Sequence, residues 1–152
     1  MTVRGFYAVG VYHPKNSINI GTLWRSASIL GAAFIYTVGA RYKRQSSDTM
    51  GVPKHIPLFH FDDIEDLKKH LPDSCPLIAV ELDDRAINIK DFIHPARACY
   101  MLGAEDSGIP TAVLDRCHKV IKLDGESSMN VAVAGSIVIY HRRLLTKGIL
   151  NG

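Results

Sequence analysis

Phe6-Tyr7-Ala8-Val9-Gly10-Val11-Tyr12 is a run of aromatic and branched residues that stops at His13-Pro14, and it reads as a buried first strand. After it Ile20, Leu23, Trp24, Ala27 and Leu30 recur at helical spacing, and Gly31 occupies the place where a helix stops. This strand-then-helix unit repeats along the chain. Residues 33–38 read as a second strand, followed by a Gly-, Ser- and Pro-punctuated loop through Pro57. Residues 62–71 form an amphipathic helix opened by acids, residues 76–82 a third strand and residues 97–102 a fourth. Pro110 starts a short helix to Cys117, residues 118–123 make a fifth strand and residues 130–147 a final helix. Alternating strands and helices predict an α/β fold, a parallel sheet with helices on both faces.

At 152 residues, 47% hydrophobic and 22% charged, the chain is expected to fold as a single domain over residues 1–152. A net charge of +3 permits a polyanionic partner without requiring one. Cys75, Cys99 and Cys117 are odd in number and far apart, which argues against a disulfide framework or a CxxC zinc site. The seven histidines show no HExxH pattern, so no metal is expected. The first ten residues lack the pattern of a secretory signal, and the longest apolar stretch, residues 131–140, is about half of the roughly 20 residues that span a membrane. The expectation is a cytoplasmic protein without a membrane segment.

The final helix is apolar nearly all round until His141, Arg142 and Arg143, so it should be covered on two sides. In so small a chain the second cover is expected to be another copy, giving a homodimer.

Three segments concentrate polar residues at element ends. In Asn19-Ile-Gly21-Thr-Leu-Trp-Arg25, Asn19 would cap the first helix, and Gly21 and Arg25 lie one turn apart on one face. Leu102-Gly103-Ala-Glu105-Asp-Ser-Gly108-Ile109-Pro110 leads from a strand end through two glycines, a typical binding-loop position in α/β folds. Ile121-Lys-Leu123-Asp-Gly-Glu-Ser-Ser128-Met129-Asn130 does the same before the last helix. Each segment alone admits a plain structural role as a cap, a solvated arginine or a tight turn. Neither GxGxxG nor a Walker A sequence follows the first strand, which disfavours dinucleotide or nucleoside triphosphate chemistry.

The order and spacing of the three resemble the SpoU (TrmH) family of the SPOUT superfamily of RNA methyltransferases. Asn19, Gly21 and Arg25 match its first motif, Gly103, Glu105, Gly108 and Pro110 its second, and Ser128 and Asn130 its third, with Ile109 and Met129 where leucine is more common. The resemblance spans essentially the whole chain, and its build is similar to the minimal TrmL-type tRNA wobble-ribose enzymes. It implies a C-terminal trefoil knot, which general topology rules disfavour, a homodimer, and S-adenosyl-L-methionine as cofactor. It implies methyl transfer to an RNA ribose 2′-hydroxyl, with tRNA favoured over rRNA. An rRNA 2′-O-methyltransferase, or a non-catalytic dimeric RNA-binding protein of the same fold, is the alternative.

Carried over by position, Arg25, Asn19, Glu105, Ser128 and Asn130 become the catalytic candidates. Val80, Leu102, Gly103, Ile121, Leu123, Ser128 and Met129 become the cofactor-binding ones. Arg25 is the family's proposed base, yet a charged guanidinium cannot accept a proton and Glu105 would favour the charged form. An orienting or electrostatic role is equally open. Arg41, Lys43, Arg44, Arg142 and Arg143, with Lys54 and Lys147, are the candidates for RNA phosphate contacts.

Overall fold

A computed structural model describes residues 5–41 and 55–150, with side chains placed through residue 146. Seven strands form one parallel sheet in the order β3-β2-β1-β6-β4-β7-β5. In chain order the elements are β1 (Phe6–Tyr12), α1 (Ser17–Ile29), β2 (Phe34–Val38), β3 (Leu58–Phe61), α2 (Ile64–Lys69), β4 (Leu77–Val80) and β5 (Ile87–Asn88). They continue with β6 (Arg97–Leu102), α3 (Thr111–Leu114), β7 (Lys119–Lys122) and α4 (Val131–Leu150). The expected parallel α/β architecture is present, with two short strands the sequence did not announce, β3 and β5.

Successive side chains of a strand point to opposite faces, and the two cores follow that rule. Tyr7, Val9, Val11, Ile78, Tyr100 and Leu102 pack with Leu23 and Trp24 of α1 and Val138 of α4. The intervening Ala8, Leu77, Ala79, Cys99 and Met101 pack on the other face with Leu67 of α2 and Val113 and Leu114 of α3. Strands sheathed on both faces must be apolar at every position, as β4 and most of β6 are.

Tyr36 ties three neighbouring strands together. It pairs with Gly10 across β1–β2, and its hydroxyl reaches past β1 to donate to the Tyr100 carbonyl of β6 at 2.6 Å. The ring passes directly over Gly10, where an added Cβ would lie 2.4 Å from Cδ2 and Cε2 of the tyrosine. Burial pushes the Tyr36 phenol well above its usual pKa, so the hydroxyl stays protonated and remains a donor.

The start of α1 differs from expectation. Asn16, not Asn19, is the cap, its Oδ1 accepting the Ile18 N–H at 2.9 Å. Asn19 lies in the first turn with its side chain available for other bonds.

Arg142 also differs, and the phosphate contact expected of it is corrected. It is 1% exposed, and its guanidinium donates to the Pro95 and Ala96 carbonyls at 2.7 Å each and to the Tyr100 hydroxyl at 3.2 Å. Tyr7 and Tyr100 offer it their ring faces, the Tyr7 centroid 5.3 Å away. A guanidinium spent on buried carbonyls cannot reach an RNA. The Tyr100 hydroxyl is hydrogen-bonded to His94 Nδ1 at 2.6 Å, and His94 Nε2 to His141 Nδ1 at 2.8 Å. Burial, with His141 and Arg142 nearby, lowers the His94 pKa to about 4.

Two measurements check this account. Gly10→Ala drives a methyl into the Tyr36 ring and should cost about 1–3 kcal/mol, read as a fall in Tm of several degrees; an unchanged Tm would refute the close approach. From pH 6.5 down to about 4, the unfolded chain binds a proton at residue 94 that the folded chain refuses, so stability falls as pH drops through that window. The Tm of a His94→Gln variant should therefore depend less steeply on pH than that of the parent over the same range.

Candidate active site

Parallel strands bring their carboxyl ends to one edge, and ligands in α/β sheets bind outside that edge. The loops after β4, β6 and β7 enclose there a cavity of about 270 Å³. Val80, Leu102, Leu123 and Met129 give it apolar wall, Glu81, Glu105 and Asp106 carboxylates, and Lys122 an ammonium. Gly103 and Ser128 line it as well. Of the residues expected at a cofactor, only Ile121 is not on the cavity surface; it is fully buried in the core beneath.

A hydrogen-bond chain joins the three polar segments. Asn130 caps α4, its Oδ1 accepting the N–H groups of Ala132 at 2.9 Å and Val133 at 3.2 Å. Its amide therefore faces outward as a donor, to Asn19 Oδ1 at 3.0 Å. Asn19 must in turn donate through Nδ2, and it does so to Glu105 Oε1. Residues 19, 105 and 130 are thereby locked in one geometry, and Glu105 is needed as an acceptor, which its carboxylate form supplies. Beside them Lys15 pairs with Asp106 at 2.6 Å, holding that carboxyl below its usual pKa.

Ser128 is exposed and shares the cavity lining with Glu105. Arg25 is not brought to these residues. Six positions after Asn19, it points about 240° round the helix from it, and it is exposed on a stripe with Ile18, Thr22 and Ile29. Among the described residues no hydrogen bond or ion pair holds its guanidinium.

Of the remaining basic candidates, Arg41 is exposed, and Arg143 is exposed with Nη1 donating to the Leu30 carbonyl at 3.3 Å. Lys43, Arg44 and Lys54 lie outside the described residues, as does the side chain of Lys147. Among the described residues no cluster of His, Cys, Asp or Glu is arranged to hold a metal ion, and no helix is long and apolar enough to cross a membrane. Glu81 is a cavity residue that the sequence did not single out, since it falls near the end of the strand expected over residues 76–82.

The double duty of Asn130 can be separated by substitution. Asn130→Ala should cost about 1 kcal/mol through the lost cap, while Asn130→Asp keeps an accepting oxygen for the helix, gains from a negative charge at the helix start, and costs the chain one bond, because Asn19 Oδ1 then faces an acceptor. Thermal melts should thus rank parent and Asp variant close together and the Ala variant several degrees lower; equal losses in both would contradict the cap.

The family model described as SpoU rRNA Methylase family matches residues 7–140. An uncharacterized tRNA/rRNA methyltransferase of Archaeoglobus fulgidus is 28% identical over 130 residues, covering 80% of this chain and 57% of that protein. The chain thus spans little more than half the length of this relative. A solved structure concerned with 2-OH methylation of C/U34 on tRNA superposes with a TM-score of 0.81 at 22% identity, covering 94% of this chain and 98% of that one. An AdoMet-bound rRNA methyltransferase from Sinorhizobium meliloti gives a TM-score of 0.80 at 20% identity, over 93% of this chain and 57% of that one. These two likenesses show a shared fold, and the match over residues 7–140 shows that the chain belongs to the SpoU rRNA Methylase family.

Proposed function

We propose that this chain is an S-adenosyl-L-methionine-dependent RNA methyltransferase that methylates a ribose 2′-hydroxyl, most readily of tRNA and at the wobble nucleotide. The observation carrying the reading is the Asn130–Asn19–Glu105 chain, which ends on a carboxylate in the wall of the cavity. The lining suits the cofactor: apolar side chains for an adenine ring, and an excess of carboxylates over ammonium groups for a ligand with a cationic sulfonium and amine. Related proteins act on tRNA or rRNA by name, and one of similar fold is AdoMet-bound.

Held against Val80, Leu102, Leu123 and Met129, S-adenosylmethionine would supply an electrophilic methyl for an attacking oxygen. The protein then has to orient the hydroxyl and dispose of its proton. Glu105, fixed by Asn19, is an acceptor able to hold a ribose hydroxyl in line, and Ser128 lies on the same wall. Arg25 acts as a charged group that pins a phosphate or steadies the developing alkoxide.

The open apolar face of α4 supports a homodimer. Val133, Ile137, Tyr140 and Leu144 are 50%, 40%, 53% and 61% exposed at helical spacing on α4, and they line an apolar groove with Thr22 and Leu30. Covering that groove with a second copy would draw the adjoining Arg25 stripe into the interface. We read the C-terminal region as knotted and the chain as one catalytic domain, in keeping with the sheet order that sets β6 and β7 on either side of β4. Exposed Arg41 and Arg143 are the described residues offered for phosphate contacts.

Incubating the protein with methyl-labelled S-adenosylmethionine and total RNA, then mapping the modified nucleoside, tests the reading. A 2′-O-methylated ribose in tRNA is expected, with transfer reduced at least about tenfold in a Glu105→Ala variant. Absence of transfer to both tRNA and rRNA would overturn it.

A further inference from the structure

Glu81 directly follows β4 and extends its pairing, its N–H donating to the Ile121 carbonyl of β7 at 3.0 Å. That bond fixes the backbone, and the side chain lies along the cavity. Its Oε2 accepts the Ile109 N–H at 2.8 Å, and its Oε1 accepts the Leu82 N–H at 3.1 Å. One carboxylate thus bridges the loop after β4 and the loop after β6, which are far apart in sequence.

The second loop is shaped to receive it. Gly108 has φ +62, a conformation that favours glycine, and its N–H closes a turn onto the Ala104 carbonyl at 3.0 Å. A Cβ built on Gly108 would lie 2.6 Å from Glu81 Oε2, and one built on Gly103 would lie 2.6 Å from the carbonyl carbon of Gly108. The loop folds tightly on itself, and the carboxylate occupies the space that any side chain at residue 108 would need. Both donors are N–H groups, so both partners must be acceptors. A carboxylate meets that demand, whereas an amide of the same shape offers one oxygen and sets an NH₂ against the other donor.

We propose that Glu81 is a positioning residue for cofactor binding: its carboxylate clamps the two loops together and so sets the width of the S-adenosylmethionine cavity. The inference rests on the reading of that cavity given above. It assigns Glu81 no part in the proton transfer and no contact with the RNA, so its removal should weaken the cofactor step and leave the others alone.

The test compares the parent with Glu81→Gln and Glu81→Ala, measuring S-adenosylmethionine binding by calorimetry and methyl-transfer kinetics on tRNA. Loss of one hydrogen bond to a charged group predicts a rise in the cofactor Kd and KM of about tenfold in the Gln variant and more in the Ala variant. The kcat at saturating cofactor and the KM for tRNA should change less than about threefold. Unchanged cofactor affinity in both variants, or parallel losses in cofactor KM, tRNA KM and kcat, would overturn the clamp. Amide exchange in the parent gives a check that needs no variant: the Ile109 N–H should exchange more slowly with cofactor bound, and an unchanged rate would count against the clamp. If the parent binds the cofactor and the variants bind it equally well, only this inference fails; if the parent binds none, the functional reading fails with it.

Discussion

The side-chain amide of Asn130 has only one way to sit. Its oxygen is taken by the open N–H groups at the start of α4, where a helix leaves donors without partners in its own backbone. That leaves the nitrogen to face away, which makes Asn19 an acceptor on one side and therefore a donor on the other. The oxygen and nitrogen of a side-chain amide have nearly the same shape, and here the helix end determines which faces where. The same end that stabilises α4 thereby sets the polarity of every group up to Glu105.

α4 is held a second time near its far end. Arg142 donates to carbonyls at residues 95 and 96, just before β6, and its stacking partner Tyr7 lies at the start of β1. One helix thus runs from the carboxyl edge of the sheet, where Asn130 meets the cavity, to the amino edge, where Arg142 is buried. Burying a guanidinium without a carboxylate is costly unless its donors are satisfied, and here carbonyls, a phenol and two aromatic faces do that work. Tyr100 connects the two halves of this arrangement, accepting from Arg142 through its hydroxyl and from Tyr36 through its carbonyl.

What was legible in the sequence was whatever depended on neighbours in the chain. β1 and β6 lie where the apolar runs put them, at Phe6–Tyr12 and Arg97–Leu102, because a strand buried on both faces has no polar position to confuse the pattern. β3, Leu58–Phe61, went unmarked between the preceding loop and the next helix because it is a partly exposed strand at the sheet edge, without the buried apolar run that marks β4. Asn16 and Asn19 are both good caps one turn apart, and propensity alone cannot choose between them. The role of Arg142 was out of reach, since its acceptors come from residues 6, 95 and 96 and His141-Arg-Arg143 has the composition of a solvated helix end. The three polar segments were recognisable as strand-end loops, whereas the bond from Glu81 to Ile109 spans two of those loops and exists only once β4 and β6 are paired.

The apolar character of α4 has two separate causes. Ala134, Val138 and Ile139 are buried on the sheet side, as packing on β1, β4 and β6 requires. Val133, Ile137, Tyr140 and Leu144 recur at helical spacing on the side that the chain leaves open, where the helix needs no apolar residues for its own sake. Isolated exposed apolar side chains are ordinary on protein surfaces, but a continuous stripe edged by Thr22 and Leu30 of a second segment is not. A cover for that groove would also enclose His141, which lines it and is hydrogen-bonded to His94 at the end of the chain from Arg142. The outer face of α4 and its buried anchor are therefore joined through one imidazole.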